Sequence, residues 1–205
     1  MKSNMWANPW SRRAFIGGSD ARVIMGTDEA ALERLWREKR GEADPPDYSD
    51  NLIVQLGVAT EPLNRHWYEK TTGQAIKAVQ SWIRHPVICW MAATLDGVVE
   101  GTGAVFEAKF MLPWSFSEEA AAGKHMAQVQ HNMWVTNARE AVLSIITGGG
   151  KWVEIKISAD SLYQHLLLTA EKMIRAGHVK PIKPELIEKL VAKRPIDQRW
   201  TQHRG

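Results

Sequence analysis

The stretch Ala104-Val-Phe-Glu-Ala-Lys-Phe110 narrows the possible folds of this chain more than any other segment. It is short, apolar and β-branched or aromatic at its start, so it reads as a strand covered by other elements. Side chains alternate along a strand, which puts Glu107 and Lys109 on one face, with the backbone of Ala108 between them. A buried strand carrying two opposite charges needs partners for both. The same charges also offer a compact site for chemistry. Twelve residues or so upstream, Thr94-Leu-Asp96-Gly97 ends another apolar stretch, and that spacing allows Asp96 to reach the same sheet edge.

The elements around this segment suggest one mixed sheet flanked by helices. Ser19 or Asp20 can cap a short helix after the flexible pair Gly17-Gly18. Asp28 to Arg40 has Leu32, Leu35 and Trp36 at helical spacing and stops at Gly41. A second helix runs from about Leu52 to Thr72, with Gly73 as its stop and Pro62 as a kink or a new start. Ile76 to Lys109, punctuated by Pro86, Gly97, Gly101 and Gly103, reads as a strand meander. A loop through Pro113 leads to a helix from about Ala120 or Lys124 to Thr136. Strands 141–146 and 152–157 form a hairpin across Gly148-Gly149-Gly150, and Ser158 or Asp160 caps an amphipathic helix to about Ala176. The fold class is α/β, an α+β sandwich about a central mixed sheet. Residues 1–180 form a single domain, and 181–205 a short helix and basic tail.

Composition narrows the partners. The formal charge, 26 − 23 = +3, and a pI near 9.0 permit nucleic-acid binding without requiring it. No apolar run reaches the roughly 18 residues that span a bilayer. The N-terminus lacks a signal-peptide core, so no membrane association and a cytoplasmic location are the expectation. Cys89 is the single cysteine, which excludes an intrachain disulfide and a cysteine-rich zinc cage. A metal would have to sit on oxygen or imidazole ligands. Most of the ten tryptophans are expected to pack in the core or between subunits, with a minority free to stack on bases.

Asp96 and Glu107 together form a seat for a hard divalent cation such as Mg²⁺, with the Ala108 carbonyl as a third ligand. Lys109 would hold an attacking water and balance charge on a phosphoryl group. Glu61, in Gly57-Val-Ala-Thr-Glu-Pro62, is a further carboxylate that could join the cluster or hold a second ion. Taken singly, Asp-Gly is a common turn and Glu-x-Lys a common solvated strand face. Their ordered combination gives the chemical reading.

Six segments in order resemble the lambda-type alkaline exonucleases and the related YqaJ-like viral recombinase family, within the PD-(D/E)xK nuclease superfamily. They are Ile16-Gly-Gly-Ser-Asp20, Leu35-Trp-Arg-Glu-Lys-Arg-Gly41, Gly57-x-x-x-Glu61-Pro, Thr94-Leu-Asp96-Gly, Glu107-Ala-Lys109 and Met126-Ala-Gln-Val-Gln-His-Asn-Met-Trp-Val-Thr136. The resemblance runs from about Trp10 to Gly177, most of the chain. The resemblance implies a PD-(D/E)xK core with metal-binding acids at Asp96 and Glu107, a catalytic lysine at Lys109, a helix glutamate at Glu61 and an active-site glutamine at Gln128. It also implies a 5′-phosphate site at Arg12 and Ser19. The Gly-Gly-Ser turn independently offers the amides of Gly18 and Ser19 to an anion. His131 replaces a tyrosine common in related nucleases and is expected to make a DNA-backbone or structural contact. Trp114 stands in a loop that usually carries a basic residue, where it could stack on a base or bury itself.

The implied activity is 5′-to-3′ digestion of one strand from a double-stranded DNA end, leaving a 3′ tail for phage-type recombination by single-strand annealing. Mg²⁺, with Mn²⁺ able to substitute, would act as one or two ions per site. The implied partners are 5′-phosphorylated duplex ends, two further copies in a homotrimeric ring and a single-strand annealing protein. Two alternatives are a RecB-like nuclease of other polarity or an endonuclease, and a non-catalytic DNA-end-binding protein on the same fold.

Overall fold

A computed structural model describes residues 9–181 of the chain. The tail read beyond residue 181 lies outside the described residues. Three helices open the fold: α1 (Pro9–Ala14), α2 (Gly18–Ile24) and α3 (Glu29–Arg40). Asp28 caps α3 by accepting from the Ala31 amide, and Gly41 ends it in the left-handed conformation, as its sequence predicts. The cap of α2 differs from expectation. Gly17 is the N-cap, Ser19 lies inside the helix, and Asp20 reaches back to accept from the Gly17 amide. Helix α4 (Leu52–Thr72) runs unbroken through Pro62 to Gly73.

The expected meander is divided between two sheets. Strands β1 (Ile76–Lys77), β4 (Gly97–Val99) and β5 (Val105–Met111) join β6 (Glu140–Thr147) and β7 (Trp152–Ser158) in the order β1-β4-β5-β6-β7. Strands β2 (Ser81–Arg84) and β3 (Ala92–Leu95) form a separate antiparallel pair. Gly97 enables the split. A Cβ there would collide with the Ile76 side chain, so only glycine lets β4 start immediately after Asp96 and pair with β1. β5 and β6 are parallel, from Val105–Ala141 to Met111–Thr147. Such a pair needs a long crossover, supplied by α5 (Glu118–Thr136), which Ser117 caps. β6 and β7 form the expected antiparallel hairpin, and Asp160 caps α6 (Ser161–Arg175) through the Leu162 and Tyr163 amides.

β5 is covered on both faces, which explains its apolar sequence. On one side Phe106 and Ala108 pack with Tyr68 of α4, the Tyr68 and Phe106 rings lying edge to face at 5.1 Å. On the other, Val105 and Met111 pack with Leu143, Ile145, Val129 and Met133 beneath α5. Glu107 and Lys109 belong to this second face. A third cluster joins Ile16 and Ile24 to α3 and α6 through Leu32, Leu35, Ala170 and Ile174. Among the described residues no helix is long and apolar enough to cross a membrane.

Candidate active site

Asp96 sits between β3 and β4, where the chain passes from the small sheet to the large one. β4 pairs with β5 only through Phe106 and Val105, so the β5 edge is open beyond that point. Asp96 closes part of the opening by accepting from the Ala108 amide at 2.9 Å. In an extended strand a residue's N–H and C=O point to the same side, so the Ala108 carbonyl faces this edge too. Asp96, Ala108 and the Glu107–Lys109 face therefore meet at one place.

Glu107 is 1% exposed, and three side chains hold it. Lys109 Nζ and Gln128 Nε2 each donate to Oε1 at 2.5 Å, and Asn132 Nδ2 donates to Oε2 at 3.1 Å. A carboxylate has about four lone-pair positions, so this set orients Glu107 and leaves room for a further ligand. Gln128 thus stands where sequence placed it. Asn132 was missed, although its position four residues later on α5 puts it on the same helix face, a periodicity that could have revealed it.

The electrostatics are unbalanced toward negative charge. Burial, followed by the charge of Glu107, pushes the Asp96 carboxyl up to about 8; Lys109 and the Ala108 amide oppose this, and Glu61 adds to it. Burial would depress the Lys109 ammonium, but Glu107 and Asp96 hold it above its ordinary value. One lysine serves two buried carboxylates, and a bound cation would relieve the excess. Two acids and a carbonyl suit a hard cation that keeps several waters. Among the described residues no set of three or more His, Cys, Asp or Glu side chains is arranged as a cage. Glu61 acts on Asp96 through its charge, while its carboxylate accepts from Gln80 Nε2 at 2.7 Å and pairs with Arg65. One turn later on α4, Asn64 donates to the carbonyls of Lys109 and Ser144, tying this helix to β5 and β6.

The other expected residues divide. Gly18 is buried against α5, and a Cβ there would lie 2.5 Å from Asn132 Oδ1 and 3.0 Å from Gln128 Cγ. It serves close packing rather than a flexible approach, and it brings the start of α2 beside the Glu107 ligands. Ser19 is exposed on that first turn. Arg12 is braced, donating from Nε to Glu38 at 2.7 Å and lying 3.6 Å from Asp20, which also binds Lys39 at 2.6 Å. Burial opposes the Arg12 charge, but Asp20 and Glu38 raise its pKa. Trp114 is 80% exposed on a 3-10 turn, Pro113–Ser115.

His131 is fully buried and has no surface to offer DNA, which corrects the expected DNA contact in favour of the structural one. Its Nδ1 lies 2.7 Å from Glu171 Oε1 and its Nε2 3.0 Å from the Ala92 carbonyl. Burial disfavours its charge, but Glu171 and the Ala92 carbonyl raise its pKa overall. It pins α5 to α6 and β3.

Residues 8–139 match the family model of the YqaJ-like viral recombinase domain. The chain is 28% identical over 177 residues to an uncharacterized protein, YqaJ, of Bacillus subtilis (strain 168), an alignment covering 82% of this chain. The chain spans 55% of that relative's length. Among solved structures it is similar to an alkaline exonuclease, LHK-Exo, from Laribacter hongkongensis, with a TM-score of 0.67 and 19% identity over 89% of this chain and 96% of that one. LHK-Exo in complex with dAMP gives 0.66 and 20%, over the same shares of the two chains. A phage related exonuclease from Haemophilus somnus 129PT gives 0.59 and 14%, over 86% of this chain and 96% of that one. The fold is therefore that of these exonuclease structures.

Proposed function

We propose that this chain, which belongs to the YqaJ-like viral recombinase domain family, is a divalent-metal-dependent exonuclease that digests one strand of duplex DNA from its end. The observation that carries the reading is the meeting of Asp96, Glu107 and Lys109 at one open sheet edge, with Asp96 pushed up to about 8 by burial and by the charge of Glu107. Asp96, Glu107 and the Ala108 carbonyl would hold Mg²⁺, or Mn²⁺ in its place, and Glu61 is the acid nearest in charge for a second ion. When bound, the ion polarises the phosphoryl oxygens and lowers the pKa of water.

The side chains have separate tasks. Lys109 keeps two of its three ammonium protons beyond the bond to Glu107, enough to hold a water and meet a phosphoryl oxygen. Gln128 and Asn132 fix the Glu107 rotamer and leave lone pairs of its carboxylate for a cation. At the α2 turn, Gly18 and Ser19 offer amides, and the remaining donors of Arg12 add charge for a terminal 5′-phosphate. Trp114 is exposed enough to meet a base. Digestion in the 5′-to-3′ direction, leaving a 3′ tail for an annealing protein, fits an end-selecting pocket of this kind. A homotrimeric ring would keep DNA on a protein whose charge is only +3. Leu52, Leu63 and Trp67, exposed on one side of α4, support a face that another copy covers.

Timed digestion of linear duplex, end-labelled and bearing either 5′-phosphate or 5′-hydroxyl, tests this reading with and without Mg²⁺. The expected result is Mg²⁺-dependent release of the 5′ label, faster from phosphorylated ends, with Lys109→Ala reducing the rate by at least about a hundredfold while DNA binding persists. Tight end binding without digestion would make the chain an end-binding protein, and earlier release of the 3′ label would reverse the polarity.

A further inference from the structure

The β2–β3 pair carries exposed aromatic surface beside the site. Trp82 on β2 is 54% exposed. A single exposed apolar side chain is ordinary, but Trp82 does not stand alone. The half-buried Phe15 ring meets it edge to face, with centroids 5.3 Å apart. The guanidinium of exposed Arg84 lies 5.4 Å from the centre of the Phe15 ring, and its Nε donates to the Cys89 carbonyl at 2.7 Å. Two rings and a cation thus form one solvent-facing cluster.

The strand register puts this cluster next to the cation seat. Trp82 pairs with Thr94 and Arg84 with Ala92, and alternation leaves Trp82, Arg84 and Thr94 on the exposed face while Ala93 and Leu95 enter the core. Asp96 follows two residues after Thr94, about 7 Å along the chain at strand spacing. At the same end of the pair, Gln80 donates to Glu61 at 2.7 Å. On the other side of β3 the chain around Ile16 runs parallel to it, the Ile16 amide donating to the Trp90 carbonyl and the Ile16 carbonyl accepting from the Ala92 amide. Ile16 is buried, so Phe15 turns to the opposite face, where its ring crosses β3 to meet Trp82. Phe15 is three residues after Arg12 and four before Ser19. The rings therefore occupy ground between the turn that carries Arg12 and Ser19 and the strand end that carries Asp96.

We propose that Trp82 and Phe15 form a stacking platform for the base of the 5′-terminal nucleotide of the digested strand. This assignment rests on the nuclease reading, its polarity included, and adds a base site to it. An enzyme that removes the first nucleotide holds its 5′-phosphate in the end pocket and its 3′-phosphate at the cation, with the sugar between them. The base must then leave the duplex stack, and an aromatic face beside the sugar replaces the stacking it loses. Every base has a π-face, so such a platform accepts any sequence, as digestion of arbitrary DNA requires. Arg84 places positive charge on this aromatic face, which favours a nucleotide over an apolar protein surface as the occupant.

The test uses the full chain, Mg²⁺ and a 5′-phosphorylated duplex whose terminal nucleotide carries either its base or a stable abasic tetrahydrofuran. That nucleotide faces a mismatch, so no pairing energy is lost with the base. Wild type should release the abasic nucleotide about ten- to hundredfold more slowly than the normal one. Trp82→Ala should lose a comparable factor on the normal end and nothing further on the abasic end. Phe15→Leu should show a smaller loss with the same indifference to the base, and Trp82→Tyr, which keeps a stacking ring, should stay near wild type. Losses from Trp82→Ala and from the abasic end that multiply would overturn the proposal while leaving the nuclease reading intact, and so would a Trp82→Ala rate equal to wild type. A Trp82→Ala chain of lower mass in light scattering would make this face a contact between copies and overturn it too. A wild type that digests nothing, or that releases the 3′ label first, would remove the nuclease reading and the platform together.

Discussion

At the scale of single residues, the site is organised around charge that the fold leaves uncompensated. Asp96 is the clearest case, because its carboxyl is raised from an ordinary value near 3.8 to about 8. The folded state thus holds a proton that the unfolded state releases. Asp96 favours folding fully below pH about 4, and this contribution is lost as pH rises toward 8. The neutral isostere Asp96→Asn should therefore raise the thermal midpoint of metal-free protein at pH 9, change it little at pH 4, and abolish Mg²⁺-dependent cleavage. Thermal unfolding at the two pH values checks this, and equal effects at both would mean that Asp96 is not the buried acid described. A cation must displace the same proton, so Mg²⁺ affinity should also rise with pH up to about 8.

At the scale of elements, α5 aligns the chemistry and closes the core. One of its faces carries Gln128 and Asn132 to Glu107, while His131 anchors the helix to Glu171 on α6 and to the Ala92 carbonyl at the start of β3. Beside an ionised Glu171 both partners of the His131 ring are acceptors, and the ring is satisfied as an imidazolium paired with a carboxylate. Because the His131 pKa is raised above 6.5, the stability it gives is complete below that value and lost as pH climbs through its folded pKa. Removing one partner leaves the other buried and alone. His131→Leu or Glu171→Leu should each cost about 3–5 kcal/mol, whereas the double replacement should cost much less than the sum. Urea denaturation of the three variants measures the coupling, and additive losses would show that the pair is not the anchor.

For the whole molecule, light scattering of the purified protein should give three times the 23.1 kDa chain mass, and Leu63→Glu on the exposed α4 face should shift it toward the monomer. A monomeric wild type would leave retention on DNA to charge alone. Much of the molecule was legible in the sequence. Helix limits such as Asp28, Gly41 and Gly73 were readable because caps act within a few residues, and alternation along β5 put Glu107 and Lys109 on one face without reference to the rest of the chain. Asp96, Gln128 and Glu61 were found as residues, but not the bonds that give each a different place. The assignment of β2 and β3 to their own sheet, the tight seat of Gly18 against Asn132, the ion pairs that brace Arg12 and the burial of His131 all depend on groups distant in the chain. The sequence by itself determined which chemical groups were present and the local geometry that spacing imposes. Only the tertiary structure decided which of them meet, which are desolvated and which charges lack a partner, because those properties arise from packing between segments that no local pattern encodes.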